Sequence, residues 1–273
     1  MSAIWTCQFS CSDDASTVAD LLRRSLTDLG YTLYNPFGLL PGKAYPQTIR
    51  LFAAPSRGGW VRILGEAEAA LLCQLSQTTL VLQASLRDGQ SQINVYVNGA
   101  AADPLEALSA HLRPGQTREH LRAALAGEGL PPALTASPPG SKALPLDALP
   151  PDVREMAGRV DAGQANRMFA RLSGDLMKRV SGESQAAAAQ ALVSGANLPD
   201  WESAGGRMIR AVLGCLTIPE GWQEPDFDAL RDAYPLLERR RRRPDAPLLP
   251  GDDALMSRVP DALDYIPVYG GKG

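Results

Sequence analysis

The sequence predicts an α+β protein: a mostly antiparallel sheet covered by helices, in a ferredoxin-like or related order, followed by a proline-rich linker and an all-helical domain. Three observations carry that prediction. Short alternating apolar runs are interleaved with amphipathic stretches through residue 126, prolines crowd residues 127–152, and from there on apolar residues recur at helical spacing. The expected units are therefore 1–126 (α+β domain), 127–152 (linker or strap) and 153–273 (helical domain ending in an irregular tail).

Element by element, "IWTCQF" (Ile4 to Phe9) alternates as a half-buried strand does, and the acids and hydroxyls of "SDDAS" suit a helix start. Val18, Leu21, Leu22, Leu26 and Leu29 then keep helical spacing up to Gly30. "TIRLFAA" and "WVRIL" flank "PSRGG" as a hairpin, Glu66 to Ser76 is helical, and "TLVLQASL" and "SQINVYVNG" form a second strand pair turned by Asp-Gly. Short helices are expected over 104–111 and 117–126. This order implies antiparallel pairing with the helices on one face of the sheet.

Proline fixes φ and lacks an amide donor, so "GEGLPPALTASPPGSKALPLDALPPD" reads as an extended strap. Beyond it, "QANRMFARLSGDLMKRV", "ESQAAAAQALVSG" and "WESAGGRMIRAVLGCL" read as helices of a bundle. The stripe Phe227, Leu230, Tyr234 and Leu237 continues across Pro235 and predicts a kinked helix or two abutting ones. A short helix near 253–259 and an irregular tail complete the chain.

The 273 residues are 45% hydrophobic and 21% charged, enough for a substantial core. Neither a basic, apolar leader nor an apolar run of membrane-spanning length is visible, so the expectation is a cytoplasmic protein with no membrane partner. Cys7, Cys11, Cys73 and Cys215 show no zinc-type spacing and are expected as buried reduced thiols; no metal or cofactor is expected.

"ERRRRRPD" sets Arg239, Arg240, Arg241, Arg242 and Arg243 side by side in a chain of net charge -3. On a helix, successive side chains turn by about 100°, so only part of the run faces one ligand. Cations in a last helical turn complement the dipole, and Pro244 stops the helix. From Pro151 onward 16 basic residues face 18 acidic ones, which favours local ion pairing over a basic face for nucleic acid. Arg167, Arg171 and Lys178 form a second cationic ridge that, joined to the run, would contact an acidic partner or phosphates.

His111 near a helix end and His120 inside a short helix are read as structural, Asp252 and Asp253 as an N-cap followed by a first-turn acid, and Gly205-Gly206 as a close helix contact. Tyr265, Ile266 and Tyr269 lie in a proline-interrupted segment suited to docking, in cis or on a partner. The leading expectation is a non-enzymatic interaction module (adaptor, chaperone-like or assembly) with a protein partner or a second copy. Nucleic-acid binding through the two arginine features comes second, and an enzyme with an acidic site between the domains comes third.

Overall fold

A computed structural model describes residues 4–35, 45–128, 199–245, 247–249 and 251–273. Its strands are β1 (Ile4–Cys11), β2 (Thr32–Leu33), β3 (Gln47–Ala53), β4 (Trp60–Leu64), β5 (Val81–Arg87), β6 (Gln90–Val97), β7 (Ala100–Ala102) and β8 (Ile266–Lys272). The described helices are α1 (Ala15–Asp28), α2 (Ala69–Leu75), α3 (Pro104–Leu108), α4 (Arg118–Ala126), α5 (Ala204–Cys215), α6 (Phe227–Arg242) and α7 (Asp252–Arg258). Short 3-10 turns cover Ser109–His111 and Ala262–Asp264. Among the described residues no helix is long and apolar enough to cross a membrane.

All strands join one antiparallel sheet in the order β2-β8-β3-β4-β1-β5-β6-β7. Asp88 and Gly89 both have positive φ (52° and 73°) and turn β5 into β6 in two residues, as the Asp-Gly signal requires. Asn98-Gly99 repeats the device (53° and 81°) and starts β7, a strand the sequence reading did not include.

Helices cover both faces, not one. On the first face, Val18, Leu22 and Leu26 of α1 and Leu71, Leu72 and Leu75 of α2 pack on Leu51, Val61, Ile63 and Val268. Asp14 caps α1 by accepting from the amides of Ser16 and Thr17, both at 3.0 Å. On the second face, α4 and α5 cover Cys7, Phe9, Leu82, Leu86 and Val95, while α6 and the 262–264 turn cover Phe52 and Leu64. Double coverage explains Gln8 and Ser10: both point away from Cys7 and Phe9, where a one-sided sheet would wet them, yet both are fully buried.

The carboxyl-terminal residues depart furthest from expectation. The tail expected to be irregular is β8, held between β2 and β3 with Gln47 to Ala53 paired in continuous register to Lys272 to Ile266. The described residues of the expected helical domain pack on the sheet as well, through α5 and α6. Phe52 links the two parts of the chain, its ring lying 5.9 Å from Phe227, 5.5 Å from Tyr234 and 5.7 Å from Tyr269. Arg62 adds a polar anchor: its guanidinium donates to the carbonyls of Glu224 and Pro225 (2.9 Å each) and of Gln223 (3.3 Å), fixing the loop before α6 against β4. The expected linker, apart from residues 127 and 128, and the expected helices over 164–180 and 183–195 lie outside the described residues.

Candidate functional site

α6 runs unbroken from Phe227 to Arg242 through Pro235, and Arg239 to Arg242 occupy its last turn. α7 packs beside it and returns acids to that end. Arg239 pairs with Asp252 at 2.8 Å and Arg240 with Asp253 at 3.7 Å. Arg241 and Arg242 share the two oxygens of Glu238, at 2.8 and 2.6 Å. Glu238 and Asp252 are buried, whereas the guanidinium side chains are 41 to 64% exposed. Asp252 also accepts the amide of Leu249 at 3.0 Å, and Arg258 ties α7 to Asp226 at the start of α6 (2.6 Å).

The carboxylates therefore lie beneath the arginines and aim them outward. Four guanidiniums are paired with three carboxylates, Glu238, Asp252 and Asp253, so the end of α6 carries organised donors whose charge is largely offset locally. Arg243 is exposed and closes the helix through its backbone amide on Arg239. Asp253 sits in the first turn of α7 as expected, but Asp252, expected as the N-cap, is the first helical residue, and the N-cap is Gly251 at φ 96°.

A cleft of about 380 Å³ opens beside this end, between α1, β8 and α6. Arg23, Tyr34, Tyr234, Glu238, Arg242 and Tyr269 are among its lining residues, so Glu238 and Arg242 belong to both cleft and cluster. Burial pushes the phenols of Tyr234 and Tyr269 upward, and both stay protonated at neutral pH. Arg23 donates to the Pro267 carbonyl at 3.3 Å, and Pro267 itself has no amide to offer. That stretch of β8 is thus blunted against pairing with a foreign strand.

Tyr265 and Tyr269 are buried in the chain's own core, and Ile266 opens β8, so the proposed docking tail is internal. Arg167, Arg171 and Lys178 lie outside the described residues. The amides and guanidinium of the Gly205-Gly206-Arg207 segment, read as a close helix contact, are taken up by protein acceptors. The Gly205 amide donates to Gly89 O at 3.0 Å, the Gly206 amide to the Ser203 hydroxyl at 3.1 Å, and Arg207 to Glu202 O at 2.5 Å. His120 completes a capping box with Thr117. Among the described residues, no cluster of three or more His, Cys, Asp or Glu side chains is placed to hold a metal ion.

Two features escaped the sequence reading. The cleft is one, because its walls come from residues 23, 34, 234 to 242 and 267 to 269 and require β8 to be in the sheet. The other is a contact between Cys11 and His111, a hundred residues apart. No family model, curated protein or solved structure matches this chain.

Proposed function

We propose that the chain is a non-enzymatic protein-interaction module that receives a short acidic segment of a partner at the end of α6. One observation carries this reading: Glu238 and Arg242 join the aromatic cleft to the exposed arginine cluster, so an apolar anchor and its flanking carboxylates have adjacent places to go. Buried carboxylates hold the guanidiniums in position, which lowers the ordering cost of a bidentate contact. The same carboxylates nearly balance the local charge, which favours short-range contact with a protein over capture of a polyanion. The strand order β3-β4-β1-β5, with α1 and α2 on one face, further supports a ferredoxin-like core extended by β8 and β2 on one side and β6 and β7 on the other.

A fluorescent peptide with one central tyrosine between glutamates tests the proposal against a labelled DNA duplex. The peptide is expected to bind, and Arg242→Ala to weaken it about tenfold or more, the loss of one central contact. Failure of that peptide to bind overturns the reading. So does duplex binding that is tighter and falls with log salt at a slope of about -0.9 for each phosphate contact, the signature of a nucleic-acid surface.

A further inference from the structure

Cys11 ends β1 and His111 ends the 3-10 turn after α3, and the fold sets the thiol Sγ 3.6 Å from the ring Nδ1. The imidazole is braced. It meets the Trp60 ring edge-on at 5.4 Å and 67°, and its backbone carbonyl accepts the Thr217 amide at 3.2 Å. Trp60 is the register partner of Cys11 on β4 and donates its indole N–H to the Thr217 hydroxyl at 2.9 Å. Cys11 is held by its backbone too, its amide on Leu80 O at 2.9 Å and its carbonyl on the Thr79 hydroxyl at 2.6 Å. Both residues are half-buried, whereas Cys7 is sealed in the core.

We propose that Cys11 and His111 form a thiol-modification site for small disulfides, in which His111 Nδ1 takes the thiol proton as the Cys11 sulfur attacks. A bond forms between Cys11 Sγ and one sulfur of the reagent, and the reagent S–S bond breaks. The departing thiolate collects the proton from the His111 imidazolium. Cys11 ends oxidised as a mixed disulfide, and half of the reagent leaves reduced as a free thiol.

The electrostatics favour transfer during attack over a standing thiolate. Burial raises the Cys11 thiol pKa and the Asp13 carboxylate, in the loop after β1, raises it further. Burial lowers the His111 pKa. Trp60 on β4, Thr79 and Leu80 before β5 and Thr217 after α5 surround the pair and carry no charge, leaving Asp13 as the charged side chain acting on the thiol. The resting pair at neutral pH is therefore a protonated thiol beside an unprotonated base. Its rate stays level once His111 is deprotonated, whereas a thiol without a base follows its thiolate fraction, about tenfold per pH unit below its pKa.

The full chain treated with 2-hydroxyethyl disulfide, acid-quenched and read by mass at each cysteine, decides the matter. Half-buried Cys73 serves as internal reference. At about pH 7, Cys11 is expected to gain the adduct about tenfold or more faster than Cys73, with a nearly level rate between about pH 6.8 and 8. His111→Gln, which keeps a polar side chain but no proton acceptor of imidazole strength, is expected to remove that advantage and restore the steep pH dependence. The proposal is overturned if wild-type Cys11 reacts no faster than Cys73, if its rate climbs log-linearly with pH, or if folded His111→Gln reacts as the wild type does. The wild-type profile decides the question even if the variant does not fold.

Discussion

Ending the chain at Tyr265 is expected to abolish cooperative folding. β8 lies inside the sheet, and without it β3 loses its hydrogen-bonding partner from Gln47 to Ala53 while β2 loses its only neighbour among the described strands. Both faces lose core at once, since Val268 belongs to the α1 and α2 side and Tyr269 to the α6 side. Burying such side chains contributes about 1.5–3 kcal/mol each before the ladder is counted, so the total loss rivals the 5–15 kcal/mol that stabilises an ordinary domain. Thermal unfolding followed by far-UV circular dichroism should show a broad or absent transition in the truncated chain. A sharp transition near the wild-type midpoint would mean that β8 is dispensable.

The second large effect is expected from Gly205→Ala. α5 starts directly against the β5–β6 turn, and a Cβ on Gly205 would stand 2.5 Å from Gly89 O and 2.5 Å from Ser91 N. Both obstacles are backbone, which cannot rotate aside as a side chain would, and the Gly205 amide already donates to Gly89 O. Relief requires α5 to lift from the sheet and weaken the packing of Ile209, Val212 and Leu213. The expected cost is about 2–3 kcal/mol, the upper part of the usual range for overpacking. Gly214→Ala, on the same helix with open space around it, is the control expected to be neutral or slightly stabilising. Equal midpoints in denaturant for Gly205→Ala and Gly214→Ala would contradict the close approach.

Most described elements of the first 126 residues were legible because their signals are local, while β2 and β7, two and three residues long, were too short to show a pattern. Alternation marked β1, β3, β4, β5 and β6, and Asp-Gly and Gly-Gly turns set the hairpins. α1, α5 and α6 were legible from their apolar patterns, and the structure adds side-chain caps at Asp14, Ser203 and Asp226. β8 was hidden for a physical reason. Proline and glycine depress strand signals, yet Pro267 faces the blunted edge, and Gly270 lets β8 pass close to α1 and the residue before β2, where a Cβ would come within 3.3 Å of Leu26 Cδ1 and 3.1 Å of Tyr31 Cβ.

Once β8 was read as an irregular tail, the second face of the sheet could not be anticipated, because α6 reaches that face beside Tyr265 and Tyr269. The ionic part of the site was more accessible than its shape. Acids flanking the arginine run already implied local neutralisation, and Glu238 meets Arg241 and Arg242 at helical spacing on α6 itself, while the position of Asp252 beneath Arg239 depends on α7 folding back along α6. The Cys11–His111 contact gave no sequence signal, since neither residue has a partner at short spacing.

Everything about the cleft and the outward-facing arginines rests on the last residues of the chain closing its first sheet. Native-state hydrogen exchange across Val268 to Gly271 measures that closure most directly. The account predicts protection comparable to that of β1 and β3, lost only on global unfolding. Exchange of these amides at the rate of an unstructured tail, while β1 stays protected, would contradict it.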